Sequence, residues 1–306
     1  MGAHPVGYKP AKSTAAGEAQ APSAGLERVS MAMPPSMTGR AGRVLAVPAS
    51  MQGLILPVVL LFLWELLGHL QLLPRGMIPP PSAVAKGWYN WTFGEVRPFD
   101  SYSGTWLSNV FFSSERVLKG YLLAIAVGAP LGVIIGWSRW FARVVDPTVQ
   151  SLRPIPITAW LPFTIALFGI RDFGAVFLIA LGAFYPIVVN STFGARDVNK
   201  NLVRAAQMMG ASRRYLLFRV IFPNALPAVF TGMRIGLGIA WAAVIIAEMI
   251  AVKSGLGYVL WDAYYLGRMD VVIADMATIG LLGFMSDRIV VWISGLVCGW
   301  KHQQQG

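Results

Sequence analysis

The chain has 306 residues and a net charge of +11 at neutral pH; 56% of its residues are hydrophobic and only 13% are charged. Because an ordinary soluble domain carries roughly 25% charged residues, this composition predicts a membrane protein and argues against two soluble domains. The single cysteine, Cys298, excludes an intrachain disulfide and a cysteine-cluster metal site. The three histidines lie too far apart for metal-ligand spacing.

Residues 1–43 are rich in Ala, Pro, Ser and Gly and lack helical periodicity, which predicts a disordered basic tail ahead of a membrane domain over residues 44–306. Apolar runs in that domain approach the roughly 20 residues needed to cross a bilayer. They predict about six spans, at residues 51–70, 117–137, 152–170, 174–193, 226–250 and 271–297. The predicted fold class is therefore an all-α polytopic membrane protein.

Basic residues follow the predicted topology. The loop at residues 194–223 holds six Arg and Lys residues against one acid, whereas the connection at 253–270 has two of each. By the positive-inside rule, the tail, this basic loop and the C-terminus are expected in the cytoplasm, as an even number of spans requires. A nucleic-acid partner is not expected, because its binding would cluster the bases on a soluble module with stacking aromatic residues.

Small residues recur at four-residue intervals in two of the predicted spans. Such faces let helix backbones pack closely in lipid. The residues are Gly128, Gly132 and Gly136 in the second span and Gly232 and Gly236 in the fifth.

The basic loop carries a spaced motif: Arg204-Ala205-Ala206, three residues, Gly210, nine residues, and Val220-Ile221-Phe222-Pro223. The two alanines would let a short helix seat closely in a cleft, and Gly210 is expected to end or bend that helix. Pro223 and Pro227 are expected to break the chain before the fifth span. A short helix in this place can serve as a rigid lever through which a motor outside the membrane moves membrane helices.

The loop resembles the EAA loop of bacterial ABC importer permeases, which reads Glu-Ala-Ala, three residues, Gly, nine residues, Ile, one residue, Leu-Pro. This chain keeps both alanines, Gly210 and Pro223 at that spacing. It has Arg204 where the family has Glu, so a salt bridge made by that Glu is not carried over. The stretch Leu152-Arg153-Pro154-Ile155-Pro156 is similar to permeases for nitrate, bicarbonate, sulfonates and taurine. Trp261-Asp262-Ala263-Tyr264 is closer to the nitrate and bicarbonate branch, and Phe168-Gly169-Ile170 to the sulfonate side.

The resemblance implies a multi-pass permease subunit of the bacterial inner membrane. Its implied partners are a second permease copy, most simply an identical one, cytoplasmic ATP-binding subunits and an external solute-binding protein. ATP and Mg would be bound by the ATP-binding subunits, and no enzyme activity or cofactor is expected on this chain, which has no GxxxxGK[ST] phosphate loop. The implied solute is a small anion, nitrate-like first and a sulfonate or taurine next. The implied coupling residues are Arg204, Ala205, Ala206, Gly210 and Pro223.

Arg234, Trp241 and Glu248 recur every seven residues in the predicted fifth span. Seven residues rotate a helix by about 700°, so the three side chains share one face. Ionisable residues inside a membrane are costly and suggest function. Arg234 could attract an anion through charge and forked hydrogen bonding, whereas Glu248 would pair with a base or shape a gate. The stripe is interpreted either as part of the translocation path or as an interhelical packing face.

Other ionisable residues have simpler interpretations. Glu65 and His69, one turn apart, are expected to form a local hydrogen bond, and Asp275 to face the protein interior. Arg116 is expected to mark the beginning of the second span rather than a site. A stand-alone ion-coupled carrier or an intramembrane enzyme is the alternative function, but no internal repeat and no catalytic set stand out.

Overall fold

The computed structural model describes residues 49–70, 72, 77–94 and 102–299, so the predicted tail and its boundary at residue 43 lie outside the described residues. The described residues from Gln52 onward belong to one compact unit. The described helices are α1 Ala49–His69, α2 Pro81–Phe93, α3 Trp106–Trp137, α4 Arg139–Val144, α5 Asp146–Leu152, a 3₁₀ turn Ile157–Trp160, α6 Leu161–Phe168, α7 Asp172–Arg196, α8 Lys200–Met208, α9 Arg213–Tyr215, a π turn Leu216–Ile221, α10 Phe222–Ala251, α11 Leu256–Tyr265 and α12 Met269–Val297.

Within the described ranges, four helices are long and apolar enough to cross a membrane: α3, α7, the run α9–α10 over Arg213–Ala251, and α12. A fifth span results if α4–α5 and the helical turns at Ile157–Phe168 are counted together. The helix α1 adds a shorter apolar stretch, Ile55–His69. The all-α polytopic class is confirmed, while the expected count of about six becomes four or five by length and composition.

Two predicted spans need correction. The second begins at Trp106 rather than residue 117, because polar residues of its first turns pack inside the protein instead of ending the helix. The predicted third span, 152–170, is not one helix. Helical structure from Arg139 to Leu152 and from Ile157 to Phe168 meets at an angle of 93°. Pro154 and Pro156 lie in the break, where their missing N–H groups prevent a continuous ladder of helical hydrogen bonds.

Pro223 and Pro227 do not break the chain, contrary to expectation. The helix runs without interruption from Arg213 to Ala251, and the π turn Leu216–Ile221 directly precedes Pro223. Such a turn re-spaces the carbonyl groups that a proline leaves without a donor. The Asn224 side chain also donates to the Val220 carbonyl at 2.7 Å, which adds a hydrogen bond at the end of the π turn.

Helix α7 is the centre of the core, with α3 and α10 packed most extensively against it. The glycine faces predicted from sequence lie at these helix pairs. A Cβ added at Gly136 would lie 2.6 Å from the Ala195 Cβ on α7, and one at Gly232 would lie 2.8 Å from the Asn190 Cβ. The small residues therefore permit close approach of the helix backbones, which a larger side chain would prevent.

Candidate functional site

The helix α8 in the basic loop has well-defined ends. The Asn199 side chain accepts from the backbone N–H of Asn201 at 2.9 Å and caps its beginning. At its end Gly210 has φ +81°, its N–H donates to the Gln207 carbonyl, and the Ala211 N–H donates to the Ala206 carbonyl. This is a Schellman motif, in which glycine supplies the left-handed residue. The expected end of the helix at Gly210 agrees with this geometry.

The two alanines of the motif face in different directions. Ala206 is buried against Leu216 and Val220, so it fixes α8 to its own chain and is not free to seat in a partner's cleft. Ala205 and Arg204 are exposed. At the end of α8, Met208 and Met209 are 84% and 82% exposed. A helix with an anchored inner face thus presents an outer face that is basic and apolar.

The stripe of Arg234, Trp241 and Glu248 is engaged in contacts between helices. Arg234 makes a forked pair with Asp287 on α12, with N–O distances of 2.8 and 3.0 Å. The Trp241 indole N–H donates to Ser286 Oγ on α12 at 3.0 Å. Glu248 is fully buried. The packing interpretation accounts for these observations, and solute contact by this stripe stays a prediction.

Glu248 lies at the centre of a buried polar network. Arg116 Nη1 donates to its carboxylate at 2.7 Å, Ser113 Oγ lies 2.8 Å from Oε2, and the Gly257 N–H donates at 3.0 Å. Ser113 Oγ in turn accepts from the Leu256 N–H at 2.8 Å. The carboxylate thus has both a charged partner and neutral donors, as a buried charge requires.

Arg116 links this network to two further segments. Its Nε donates to Asp172 at the start of α7 at 2.8 Å, and its Nη atoms donate to the Ser254 carbonyl and hydroxyl at 2.8 and 2.7 Å. Arg116 therefore joins α3, α7, α10 and the turn before α11, which corrects its interpretation as the beginning of a span. The signal in the sequence is the spacing of Asn109, Ser113 and Arg116, which places all three on one helix face.

Two glycines allow the turn before α11 to close over Glu248. Gly255 has φ +106°, and a Cβ there would collide with the Glu248 carboxylate. A Cβ at Gly257 would lie 2.6 Å from the Ile245 carbonyl oxygen. The Gly255 N–H donates to Asn109 Oδ1 at 3.0 Å. The backbone of this turn therefore completes the network in a way that only glycine permits at position 255.

Four further ionisable groups lie outside this network. His69 and Glu65 form their expected local hydrogen bond at 2.9 Å. Asp275 is fully buried as expected, and its carboxylate has no hydrogen-bond partner among the described residues. Near the start of α3, burial and the hydrogen bond to Asp262 at 2.6 Å raise the pKa of the Tyr102 phenol.

A cavity of about 370 Å³ lies at the break between α5 and the 3₁₀ turn. Its walls come from residues 153–157 and Trp160, from α7 between Gly182 and Asn190, and from Ile235 and Ile239 of α10. The predicted path residues Arg234, Trp241 and Glu248 do not line it.

Among the described residues, no group of three or more His, Cys, Asp or Glu side chains could hold a metal ion.

A model of the family described as "binding-protein-dependent transport system inner membrane component" matches residues 128–297, more than half of the chain. The chain is 38% identical to an ABC transporter permease protein of Methanocaldococcus jannaschii, over 82% of this chain and 92% of that one. It is 34% identical to the nitrate import permease protein NrtB of Synechocystis sp., over 78% and 86% of the two chains. It is 34% identical to the taurine transport system permease protein TauC of Escherichia coli, over 74% and 81%.

The fold is also similar to that of a solved structure. A chain of the MetNI methionine ABC transporter, in an inward-facing conformation, superposes with a TM-score of 0.56 at 20% identity. The match covers 62% of this chain and 95% of that one. At this identity the likeness establishes the shared fold alone.

Proposed function

The chain belongs to the family of binding-protein-dependent transport system inner membrane components, and from this premise we propose that it forms the solute path of an ABC importer for a small anion. ATP hydrolysis would take place on separate cytoplasmic subunits that grip the chain at α8. A second permease copy, most simply an identical one, and an external solute-binding protein would complete the importer. The tail, α8 and the C-terminus would then lie in the cytoplasm of the cell whose plasma membrane holds the chain.

The architecture of α8 is the observation that carries this proposal. Its inner face is fixed to the transmembrane helix Arg213–Ala251 through Ala206, Leu216 and Val220. Its outer face presents Arg204, Ala205, Met208 and Met209 to a partner. Because α8 packs directly on that helix, a force applied to α8 is transmitted to the membrane domain. Arg204 replaces the acidic residue of the EAA loop, so the matching surface of the ATP-binding subunit is expected to offer an acid or an aromatic face to the guanidinium.

The proposed solute is a small oxyanion or a compound that carries one. The named relatives import nitrate in one case and taurine, a sulfonate, in the other. Both solutes present trigonally arranged anionic oxygens that accept hydrogen bonds. Nitrate is the first solute to test, since Trp261-Asp262-Ala263-Tyr264 is similar to the nitrate branch, and taurine is the second.

Purification of the tagged chain from its native cell in mild detergent tests the assembly. Mass spectrometry should identify a stoichiometric subunit with a GxxxxGK[ST] phosphate loop, which binds nucleotide phosphates. A co-encoded binding protein would then be titrated with nitrate and taurine. A stable complex without any ATPase, under conditions that preserve other importers, would contradict the proposal and favour a stand-alone carrier.

A further inference from the structure

The break in the third span needs a polar environment at membrane depth. Irregular backbone is tolerated there only where protein buries it or where it lines a water-filled cavity. Residues 153–156 are exposed in the single chain, and Arg153 to Ile157 form one wall of the 370 Å³ cavity. Its volume is in the range of small-molecule sites. The break is therefore placed where a solute could reach it.

The cavity also lies at the middle of the spans that enclose it. Its walls use α7 between Gly182 and Asn190, near the centre of Asp172–Arg196, and Ile235 and Ile239 of the helix Arg213–Ala251. Transporter sites are commonly found near the bilayer midplane beside discontinuous helices. The position along α7 and α10 meets that description.

The polar groups around the cavity favour an anion. Arg153 lines it, is exposed, and has no side-chain hydrogen bond or ion pair within the described ranges. Trp160 also lines it, but its indole N–H is buried and is not presented to the cavity. Tyr185 and Asn190 add a hydroxyl and an amide, whereas no Asp or Glu is part of the described lining. Donors without competing carboxylates suit an oxyanion.

The sequence indicated Arg234 as the residue that attracts an anion, but in the structure this arginine is paired with a carboxylate. Its guanidinium is neutralised by the forked pair with Asp287. It lies next to Ile235, which lines the cavity, but does not line the cavity itself. An anion approaching this region would therefore meet an available charge at Arg153 and a paired one at Arg234.

We infer that Arg153 is the anion-binding residue of the solute path, with the Tyr185 hydroxyl as a neutral donor beside it. This inference rests on the proposed function and names the residues that contact its solute. Arg153 offers forked N–H donors to a planar or trigonal oxyanion.

Transport by the reconstituted complex tests the assignment. The chain, its ATPase subunits and its binding protein would be placed in liposomes, and uptake of labelled nitrate and taurine measured. Arg153→Gln should lower uptake by about tenfold or more, because the anion would lose its charge-assisted hydrogen bonds. Arg153→Lys should retain part of the activity. Arg143→Gln, an exposed arginine on α4 outside the cavity, is the matched control and should transport normally.

The outcomes separate the two proposals. If the wild-type complex transports neither solute, the proposed function is contradicted and the assignment to Arg153 falls with it. If the wild type transports and Arg153→Gln matches it in rate and solute preference, the assignment alone is wrong. Equal losses in Arg153→Gln and Arg143→Gln would also overturn it, because the effect would then not depend on the cavity.

A second measurement does not depend on transport. Val189 lines the cavity and can be replaced by Cys in a Cys298→Ser background. The rates at which an anionic and a cationic methanethiosulfonate modify Val189→Cys would be measured. The ratio of the anionic rate to the cationic rate should be severalfold higher with Arg153 than with Arg153→Gln. A ratio that is the same with and without Arg153 would show that this residue does not set the cavity's charge preference.

Discussion

At the scale of single residues, the buried ion pair between Arg116 and Glu248 is expected to set how much stability the membrane domain loses when either residue is replaced. The side chains are 6% and 0% exposed, and the 2.7 Å contact is supported by Ser113 and the Gly257 N–H. Removing one partner would leave a charge in a low-dielectric interior, whereas removing both leaves none. The pair Arg234–Asp287 is less enclosed, with side chains 47% and 26% exposed, so the loss of one partner is expected to cost less.

We expect Arg116→Met to destabilise the protein by about 3–5 kcal/mol, because it leaves the buried Glu248 carboxylate without a cation. Glu248→Ala should cost less, because Arg116 keeps its ion pair with Asp172. The double variant Arg116→Met/Glu248→Met should recover much of this loss. Thermal unfolding in detergent would measure it. Arg234→Met is the control and should cost less than Arg116→Met, because the Asp287 carboxylate that it leaves is 26% exposed rather than fully buried. Similar losses for the buried and exposed variants would contradict this ranking of the two pairs.

Gly255 provides a second test at this scale. Gly255→Ala should destabilise the protein clearly, because φ +106° strains an L residue and its Cβ would displace the Glu248 carboxylate. Gly280→Ala on α12 is the matched control, since no atom lies within 4 Å of its Cβ position and helix propensity favours alanine. The melting temperatures of the two variants would be compared, and Gly255→Ala should have the lower one. A Gly255→Ala protein as stable as Gly280→Ala would mean that the turn can rearrange freely.

At the scale of elements, α8 and the helix that follows show what a motif can and cannot specify. The spacing from Arg204 to Gly210 was enough to predict a short helix that ends at glycine. It did not reveal that Ala206 turns inward, because that depends on contacts with Leu216 and Val220 one element later. The π turn before Pro223 was also missed, since proline normally predicts a break and the compensating geometry is tertiary.

A substitution at Gly210 can change the backbone conformation at the end of α8 without changing the charge of the helix. Gly210→Val should lower solute-stimulated ATPase activity of the assembled importer severalfold, because a β-branched residue is strained at φ +81° and the Schellman end would be lost. Gly210→Asn should be largely tolerated, since asparagine adopts this conformation. No atom of this chain lies within 4 Å of the Gly210 Cβ position, so the expected strain comes from the backbone and not from a clash within the chain. Equal activity of the Val and Asn variants would contradict this role.

At the scale of the whole molecule, hydropathy and charge predicted an all-α membrane protein, and the helical architecture confirms it. Hydropathy did not locate the 93° bend, because an apolar run of the right length looks the same whether it is straight or broken. Pro154 and Pro156 are the residues in the sequence that indicate the bend. The site was predicted in part. Periodicity placed Arg234, Trp241 and Glu248 on one face, but only tertiary contacts could show that Asp287, Ser286 and Arg116 occupy that face.

The proposed importer depends above all on α8 joining a membrane path to a cytoplasmic motor. A photo-crosslinking amino acid at Met208, which is 84% exposed, would test this in cells. The same probe at Tyr264, 53% exposed on α11 at the other end of the spans, is the matched control. We predict that Met208 captures a subunit carrying a phosphate loop and that Tyr264 does not. Capture of that subunit at Tyr264, with none at Met208, would contradict both the coupling role of α8 and the expected topology.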